Sequence, residues 1–523
     1  MADVIVIGAG LNGLVAATWL ARQKHKVIVL DQSDTPGGAA VTSEIAPGFH
    51  VPALSHALGP LSTRVVRALR LHRHDIELLT PDPALTALGV DGTSISFHRD
   101  PVLAAGSINR ISPADAGRWA AFLTTMQRLG AVIGQVNHQP PPSIDDTSRQ
   151  EAWRLFSVAR RARRLGRRDL ARAARYVPMA VADLAAEWFE QDLVQAAVAA
   201  HAVFGNLAGP WSAGTGGMLL QRVGQDPLPV GSGITARGGP GAVAKAFAAA
   251  AEKSGADIRL GAWVARIGVS SGRATSVVLD SGSEIGAGAV LSAIDPRHTF
   301  LRLCDPADLP PTFVERMRHY RARGVTAKIN LALSAAPALT ALHGDTVPLR
   351  GRLLIAPDVD YVERAFDAAK YGALSPHPWL EASIPSTIDA SLAPPGSHVM
   401  SIYVHYAPRH LRQGAWSDRR DLLYDSVIDL LEGYAPGIRA SVIAREVITP
   451  QDLEQRWGLD GGHIFHGEPT MDQSWIARPL LGWSQYRTPI DGLFIGSVGT
   501  HPGGGLTGVS GLLAAQTLAR HLR

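Results

Sequence analysis

The sequence contains a single cysteine, Cys304, among its 523 residues. One thiol cannot form an internal disulfide, a Cys-x-x-Cys redox pair or a cysteine-based zinc site. Disulfide chemistry between two cysteines of this chain is therefore excluded. The histidines at 463 and 466 have no evident third ligand in the sequence, so we predict no metal site.

Charged residues are also scarce, at 18% of the chain, against about 25% in a typical globular protein. Basic residues number 50 and acidic residues 46, which leaves a net charge of only +4, and just six of the basic residues are lysines. This composition argues against a disordered chain, and we expect no nucleic-acid partner. Hydrophobic residues make up 46% of the chain, which is enough for a large core.

A long uninterrupted apolar run is absent as well. The longest stretch without a charged residue, 193–221, contains His201, Asn206, Pro210 and several glycines, which argues against a membrane-spanning helix. The N-terminus enters an apolar strand at Val4 without a positively charged leader, so no secretory signal is expected. We therefore expect a cytoplasmic protein.

What the sequence does have is a dinucleotide-binding pattern at its N-terminus. A short buried strand is predicted at 4–7, followed by the glycine turn 8–13, a helix over 14–23 and a second strand over 26–30. Asp31 closes that strand. This order and spacing indicate a βαβ unit.

The glycines of the first turn each have a distinct role in such a unit. Gly8 permits the tight turn, Gly10 lets the backbone approach a pyrophosphate, and Gly13 lets the helix and strand pack closely. Asp31 can accept hydrogen bonds from a ribose, and its charge would repel a 2′-phosphate, so NADP is not expected. The alternative is a glycine turn that only packs. The cofactor-binding residues predicted for this unit are Gly8, Gly10, Leu11, Asn12, Gly13 and Asp31.

Two further glycine-rich segments extend the pattern. Gly37, Gly38 and Ala39 follow Asp31 closely and would let the backbone wrap a ligand longer than an NAD site needs, although an ordinary surface turn is the alternative. Near the C-terminus, the segment 499–508 lies between a predicted strand and the last helix. Its bare amides could stabilise negative charge on a reduced flavin ring, or the segment could be a plain lead into the helix.

Together these motifs resemble the carotenoid/retinoid oxidoreductase family of FAD flavoproteins. The specific matches cover roughly the first 60 residues, 235–300 and 450–523, and the middle of the chain matches in layout only. Other matching segments are Gly238-Gly-Pro-Gly241, Val264-Ala-Arg-Ile267, Leu291-Ser-Ala-Ile-Asp-Pro296, Gly461-Gly-His-Ile-Phe-His466 and Thr500-His-Pro-Gly-Gly-Gly505.

The resemblance implies an α/β protein of amine-oxidase-like architecture, with a Rossmann-like FAD-binding domain and a discontinuous α+β substrate domain. We assign residues 1–60, 232–300 and 485–523 to the FAD-binding domain, and 61–231 and 301–484 to the substrate domain. It implies that the backbone of Val264 faces the adenine. The remaining predicted FAD-binding residues are Gly37, Gly38, Ala39, Gly499, Thr500, His501, Gly504, Gly505 and Leu506.

Two positions depart from the family pattern. Family members commonly have Glu where this chain has Asp31, which keeps the role with a shorter reach. Carotene desaturases usually have Arg after the second glycine pair, where this chain has Ala39. That difference weakens the desaturase interpretation in particular.

Candidate active-site side chains are few. His501 is the candidate catalytic residue, because it adjoins the C-terminal glycine turn. Packing roles are the alternative for each candidate, and the apolar segment 193–221 is either a substrate channel or core. An obvious acid–base pair is not required, because a flavin carries the chemistry itself. The predicted substrate contacts are His56, Phe204, Trp211 and His466.

We therefore predict an FAD-dependent oxidoreductase of the dehydrogenase or desaturase type. It would act on a small apolar substrate, isoprenoid or lipid-like, by hydride transfer at flavin N5. One alternative is a carotenoid ketolase, desaturase or isomerase; another is a flavin-binding regulatory or interaction protein without turnover. The stretch 153–175 carries nine arginines and would suit peripheral contact with an anionic membrane, with a solvated helix face as the alternative.

Overall fold

The computed structural model describes residues 2–143 and 148–522. The strands within these residues are β1 (Ala2–Ile7), β2 (Val27–Leu30), β3 (Thr42–Ala46), β4 (Phe49–Pro52), β5 (Leu78–Leu79), β6 (Leu85–Leu88), β7 (Ser94–Phe97), β8 (Thr235–Ala236), β9 (Asp257–Arg259), β10 (Val264–Ser270), β11 (Arg273–Leu279), β12 (Glu284–Ser292), β13 (Thr326–Leu333), β14 (Arg352–Ile355), β15 (Trp379–Ser383), β16 (His398–His405), β17 (Val442–Ile448) and β18 (Leu493–Ile495).

The helices alternate with these strands and fill the long intervals between them. They are α1 (Leu11–Arg22), α2 (Thr63–Leu69), α3 (Pro101–Asn109), α4 (Pro113–Asn137), α5 (Arg149–Arg163), α6 (Gly166–Tyr176), α7 (Val181–Trp188), α8 (Asp192–Val203), α9 (Thr215–Val223), α10 (Pro240–Lys253), α11 (Pro296–His298), α12 (Pro311–His319), α13 (Val359–Lys370), α14 (Trp416–Tyr434), α15 (Ile438–Ser441), α16 (Pro450–Trp457) and α17 (Val509–His521).

The first seven-stranded sheet contains the predicted βαβ unit. Its strand order is β10-β11-β12-β1-β2-β9, with β18 paired to β12. Strands β1, β2, β9, β12 and β18 pair in parallel. All four residues of β2 are buried, as expected for a parallel strand covered on both faces. The Rossmann-like part of the predicted fold is confirmed.

The two ends of the chain meet on this sheet. Helix α17 packs against α1, and the backbone N–H of Gly511 donates to Asn12 Oδ1 at 3.0 Å. A Cβ on Gly511 would lie 1.9 Å from the carbonyl oxygen of Asn12, so the close crossing requires glycine. This crossing brings the C-terminal glycine turn beside the N-terminal one.

The second seven-stranded sheet has the order β17-β13-β16-β15-β14-β6-β7. It draws its strands from residues 85–97 and 326–448, and α8 packs against β6. The two-domain, amine-oxidase-like architecture is thereby confirmed. The domain boundaries assigned from the sequence stay a prediction, and side chains of both proposed domains meet in the cavity described below.

Two segments that the sequence singled out are helical. Residues 193–221 contribute α8 and most of α9, whose inward faces belong to a large apolar cluster. The arginine-rich stretch forms α5 and α6, which are separated at 164–165; the side chain of Arg154 lies outside the described part of the structure. Within residues 2–143 and 148–522, no helix is long and apolar enough to cross a bilayer.

Candidate active site

A cavity of about 540 Å³ is lined by residues from both seven-stranded sheets and from both ends of the chain. One part of its surface, which we call the glycine wall, is formed by Gly8, Gly10, Gly37, Gly38 and Gly505. Another part, the charged wall, is formed by His56, Arg222, Lys328, Arg352 and Glu381.

The first turn of the glycine wall is shaped by close backbone contacts. Gly8 has a φ of +101°, which favours glycine. A Cβ on Gly13 would lie 1.8 Å from the carbonyl oxygen of Gly8, so α1 could not approach the turn with any larger residue. Gly8, Gly10, Leu11 and Asn12 line the cavity, whereas Gly13 acts behind it as a packing residue.

The second glycine pair lies directly against the first turn. The N–H of Gly37 donates to the carbonyl of Ala9 at 2.9 Å, and a Cβ on Gly38 would lie 3.2 Å from the Cα of Gly10. Gly37, Gly38 and Ala39 all line the cavity. These three residues therefore form part of the cavity surface.

Asp31 also lies on this side of the cavity. Its carboxylate accepts hydrogen bonds from the N–H of Ala9 at 2.6 Å and of Ser33 at 2.8 Å. Burial raises the pKa of Asp31, and these two backbone bonds oppose the rise. Val264, the first residue of β10, lines the same cavity. An acceptor near the glycine turn and an apolar strand end suit a ribose and an adenine.

The C-terminal glycine turn contributes fewer residues to the cavity lining than the sequence predicts. Gly505 and Leu506 line the cavity, but Gly499, Thr500 and Gly504 do not. A Cβ on Gly504 would lie 2.3 Å from Gln225 Oε1, so this glycine faces a side chain just after the end of α9. Helix α17 begins only at Val509, so its first amides lie beyond the lining residues.

His501 does not line the cavity either. Its side chain is buried, the Tyr486 hydroxyl donates to its carbonyl at 2.9 Å, and its Nε2 has no hydrogen-bond partner among the described residues. Burial lowers the pKa of His501 to about 4, which favours a neutral ring. The structure therefore gives no support to the predicted catalytic role of His501.

The charged wall contains a buried hydrogen-bonded network in which His56 lies between Lys328 and Glu381. Lys328 Nζ lies 3.0 Å from His56 Nδ1, and His56 Nε2 lies 3.1 Å from Glu381 Oε1. Arg352 donates to the other oxygen of Glu381 at 2.6 Å. Since the ammonium or amine of Lys328 is the donor to Nδ1, the imidazole carries its proton on Nε2 and donates to Glu381.

Burial is the main influence on the protonation states of His56, Lys328 and Glu381. It lowers the pKa of His56 to about 4, with the nearby Lys328 as a second cause. It also lowers the pKa of Lys328 well below the ordinary value. Burial opposes ionisation of Glu381, but Arg352 and His56 together hold the pKa of this carboxyl below its usual range. This hydrogen-bonded network therefore combines an ionised carboxylate with a lysine that can lose its proton.

The other predicted substrate contacts divide into two groups. Phe204 and His466 line the cavity, and the Phe204 ring packs against Tyr403 with ring centroids 5.1 Å apart. Trp211 lies at the surface with 49% of its area exposed, and its indole N–H donates to Asp360. The structure therefore gives no support to a substrate contact by Trp211.

Sequence reasoning missed four of the five residues of the charged wall. Lys328 carried a usable signal, because it is one of only six lysines and interrupts the otherwise uncharged strand β13. Arg222, Arg352 and Glu381 gave no comparable signal. They come from α9, β14 and β15, and only the fold brings them together.

Comparison with known proteins places the chain in a family. The family model for flavin-containing amine oxidoreductases matches residues 11–519. The chain is 35% identical to pyridine nucleotide-disulfide oxidoreductase domain-containing protein 2 of Rattus norvegicus, over 100% of this chain and 94% of that protein. It is 26% identical to the phytoene desaturase (neurosporene-forming) of Cereibacter sphaeroides, over 99% and 93% of the two chains.

Solved structures agree on the fold. A putrescine oxidase variant superposes with a TM-score of 0.62 at 14% identity and covers 100% of this chain and 98% of its own. The motifs at both chain ends predict a resemblance to pyridine nucleotide-disulfide oxidoreductase domain-containing protein 2 first and to the desaturase-like carotenoid ketolases next. The matches to the first of these and to a phytoene desaturase confirm the predicted family. The disulfide in that relative's name has no counterpart here, because Cys304 is alone and burial raises its pKa to about 12.

The cavity residues fit an FAD. Turns without side chains can approach a pyrophosphate, Asp31 can accept from a ribose, and Asp295 presents a buried Oδ2 that has no partner among the described residues. When bound, FAD would be held by the glycine wall, Asp31 and Val264. The chain belongs to the family of flavin-containing amine oxidoreductases and is an FAD-dependent oxidoreductase.

Proposed function

We propose that this enzyme oxidises a small, largely apolar substrate at the charged wall of the cavity. The observation that carries the proposal is the placement of Lys328, whose Nζ is buried, lines the cavity and donates to His56. When bound, FAD supplies the hydride acceptor. The side chains of the charged wall then handle the substrate and its proton.

Lys328 is the proposed proton acceptor. Because burial lowers the pKa of Lys328 well below the ordinary value, its neutral amine forms more readily than that of an exposed lysine and can take a proton from the substrate. His56 holds the amine in place through Nδ1, and Glu381 fixes the ring through Nε2. Arg352 neutralises Glu381 and also donates to the backbone carbonyls of Val230 and Gly231. These bonds fix the hydrogen-bonded side chains to the backbone between α9 and β8.

Aromatic side chains supply the apolar part of the site. Phe204, Phe465 and Tyr403 all line the cavity, and the Phe204 and Phe465 rings have centroids 6.4 Å apart. Such faces exclude water and pack against a hydrocarbon body. The substrate is therefore proposed to be lipid-like or isoprenoid over most of its length.

The test begins by identifying what the protein binds. We would purify the yellow protein with native lipid, identify the bound molecules by mass spectrometry, and mix them anaerobically with the oxidised enzyme. At least one should bleach the flavin absorbance. Failure of every co-purified molecule to reduce a photoreducible flavin would contradict the proposal and favour a non-catalytic flavin-binding role.

Variants test the role of Lys328 in the same assay. Lys328→Met should keep its FAD but reduce the flavin ~100-fold more slowly, in line with the usual contribution of a general base. Lys370→Met is the matched control, because Lys370 is about half exposed and pairs with Asp367. Reduction of Lys328→Met at the wild-type rate would refute proton acceptance by this lysine.

A carotenoid ketolase, desaturase or isomerase stays the alternative function. The similarity to a phytoene desaturase supports it, whereas Ala39 in place of arginine argues against a desaturase. Incubation with phytoene and with lycopene in detergent micelles, followed by chromatography, separates the alternatives. Conversion of either hydrocarbon would favour the alternative over our proposal.

We also propose that α5 and α6 contact an anionic membrane from which such a substrate is taken. Helix α5 exposes Trp153, Leu155 and Phe156, with exposed fractions of 65%, 49% and 54%. Exposed arginines of the two helices and the turn between them are Arg160, Arg163, Arg164, Arg167, Arg168, Arg172 and Arg175. Each arginine near an anionic surface contributes about 1 kcal/mol, which salt screens over ~10 Å at 0.1 M.

Flotation with liposomes tests the membrane contact. The protein should float with phosphatidylserine vesicles at low salt and much less at 0.5 M salt or with neutral vesicles. Replacing Trp153 and Phe156 by serine should weaken flotation. Binding that ignores both salt and lipid charge would contradict an electrostatic contact. Localisation in the cytoplasm stays a proposal that cell fractionation would test.

A further inference from the structure

Arg222 stands apart from the other charged residues of the cavity. It lies near the end of α9, lines the cavity and is half-buried. Its guanidinium donates to the carbonyls of Ala202 and Phe204. A guanidinium has five N–H donors, and among the described residues the guanidinium of Arg222 has no hydrogen-bond acceptor besides these two carbonyls. Part of its donor capacity therefore remains for a ligand.

No carboxylate of the described residues lies within 4 Å of Arg222, and the two acids nearby on the cavity wall are already engaged. Glu381 bonds to Arg352 and His56. Asp226 accepts from the backbone N–H of Ser232 at 2.6 Å and interacts with Arg99. Burial lowers the pKa of Arg222 to about 10, which still leaves it charged at neutral pH.

The charges of the wall do not cancel around this residue. Among the five residues of the charged wall, Arg352 and Arg222 are both cationic, and Lys328 is a third cation whenever it is protonated, whereas Glu381 is the one carboxylate. A cation that is partly removed from water without a counter-ion costs free energy, and an anionic group of a ligand lowers that cost. An anionic group on the substrate would therefore neutralise part of the excess positive charge.

The surroundings of Arg222 also fit a ligand with one charged end. The guanidinium lies 5.5 Å from the ring centroid of Phe204 and 5.4 Å from that of Phe465. Cation–π contacts on these two rings hold the planar group in place. A planar guanidinium fork matches a carboxylate in two parallel hydrogen bonds, and the same aromatic rings offer apolar surface to the rest of the ligand.

We propose that Arg222 binds a carboxylate carried by the substrate, so that the substrate is an apolar molecule with one acidic group. This inference rests on the proposed function and narrows its substrate class. It favours carboxylic acids of lipid or isoprenoid type over uncharged hydrocarbons such as carotenes. Arg222 is a specificity-determining residue in this view, distinct from Lys328, which accepts the proton.

The experiment uses the FAD-loaded enzyme and three probes of equal chain length: octanoate, octanol and octylammonium. Each is titrated at pH 7 while the flavin absorbance spectrum is recorded. Octanoate should perturb the spectrum with a Kd at least tenfold below those of the other two. Equal affinity for octanol, or no spectral response to any probe, would overturn the inference.

Variants link the preference to this residue. Arg222→Met should abolish the preference for octanoate while octanol still binds, and Arg222→Lys should restore part of it. Arg456→Met is the matched control, because Arg456 also lines the cavity but pairs with Glu446; it should keep the wild-type preference. Retention of the preference in Arg222→Met would overturn the inference.

Two measurements distinguish carboxylate binding by Arg222 from a role towards the flavin and from the proposed oxidoreductase function. Arg222 could instead serve the negative charge of a reduced flavin. A lower flavin reduction potential in Arg222→Met, with an unchanged preference for octanoate, would identify that role and refute carboxylate binding. FAD content and photoreduction, measured first on the same preparation, test the proposed oxidoreductase function independently of the probes.

Discussion

Two glycines of the first turn should respond to the same substitution in opposite ways. Gly10 lines the cavity, has a φ of −66°, and a Cβ there would meet nothing closer than the Cα of Gly38 at 4.0 Å. Gly13 lies behind the turn, and a Cβ there would lie 1.8 Å from the carbonyl oxygen of Gly8. One alanine methyl therefore points at the ligand and the other at the backbone.

The expected magnitudes follow from these contacts. Gly10→Ala should leave the stability of the apoprotein unchanged or raise it by about 0.4–1 kcal/mol, because alanine lowers the entropy of the unfolded chain. Its methyl group should hinder approach of the pyrophosphate and weaken FAD binding at least tenfold, or about 1.4 kcal/mol. Gly13→Ala must displace backbone and should destabilise the apoprotein by about 1–3 kcal/mol or more.

Urea unfolding of the apoproteins and fluorescence titration with FAD measure both effects. Wild-type FAD affinity in Gly10→Ala would show that the cofactor does not approach this turn. Wild-type stability in Gly13→Ala would show that α1 and the turn are not packed as described. Either result would refute the reasoning, and the two failures are independent.

Two further predictions concern charge. Asp31→Ala should lower FAD affinity by removing the ribose acceptor, whereas Asp34→Ala, in the same loop but exposed, should not; equal titration curves for the two would contradict a ribose contact. Stability should fall between pH 6.5 and 4, because buried histidines stay neutral in the folded state and take up protons on unfolding. Each contributes up to about 1.4 kcal/mol per pH unit. Burial raises the pKa of Asp295 to about 7, so the folded state binds one proton more tightly at this group than the unfolded state does. This single group therefore partly offsets the loss of stability. A urea midpoint at pH 5 equal to that at pH 7 would refute this. The histidines are His56, His405, His463, His466 and His501, with pKa values lowered to about 3 or about 4.

The glycine wall could be predicted because its signal is local. Gly8, Gly10 and Gly13 have a fixed spacing, and each is required by the backbone geometry of the short segment in which it lies. Gly37 and Gly38 follow within one strand and turn.

Most of the charged wall could not be predicted, because its residues are distant in sequence. His56 and Glu381 are separated by 325 positions, yet their side chains are 3.1 Å apart. No periodicity or motif encodes that pairing, which depends on how β4 and the loop after it pack against the second sheet. His501 illustrates the converse, because adjacency to a glycine turn in sequence did not place its ring in the cavity.

The structure of the FAD-loaded protein at atomic resolution tests the central claim most directly. We predict one FAD per chain, with its adenosine beside Asp31 and Val264 and its isoalloxazine ring at the charged wall, facing Lys328. An isoalloxazine ring outside this cavity, or one turned away from Lys328 and Arg222, would contradict the account.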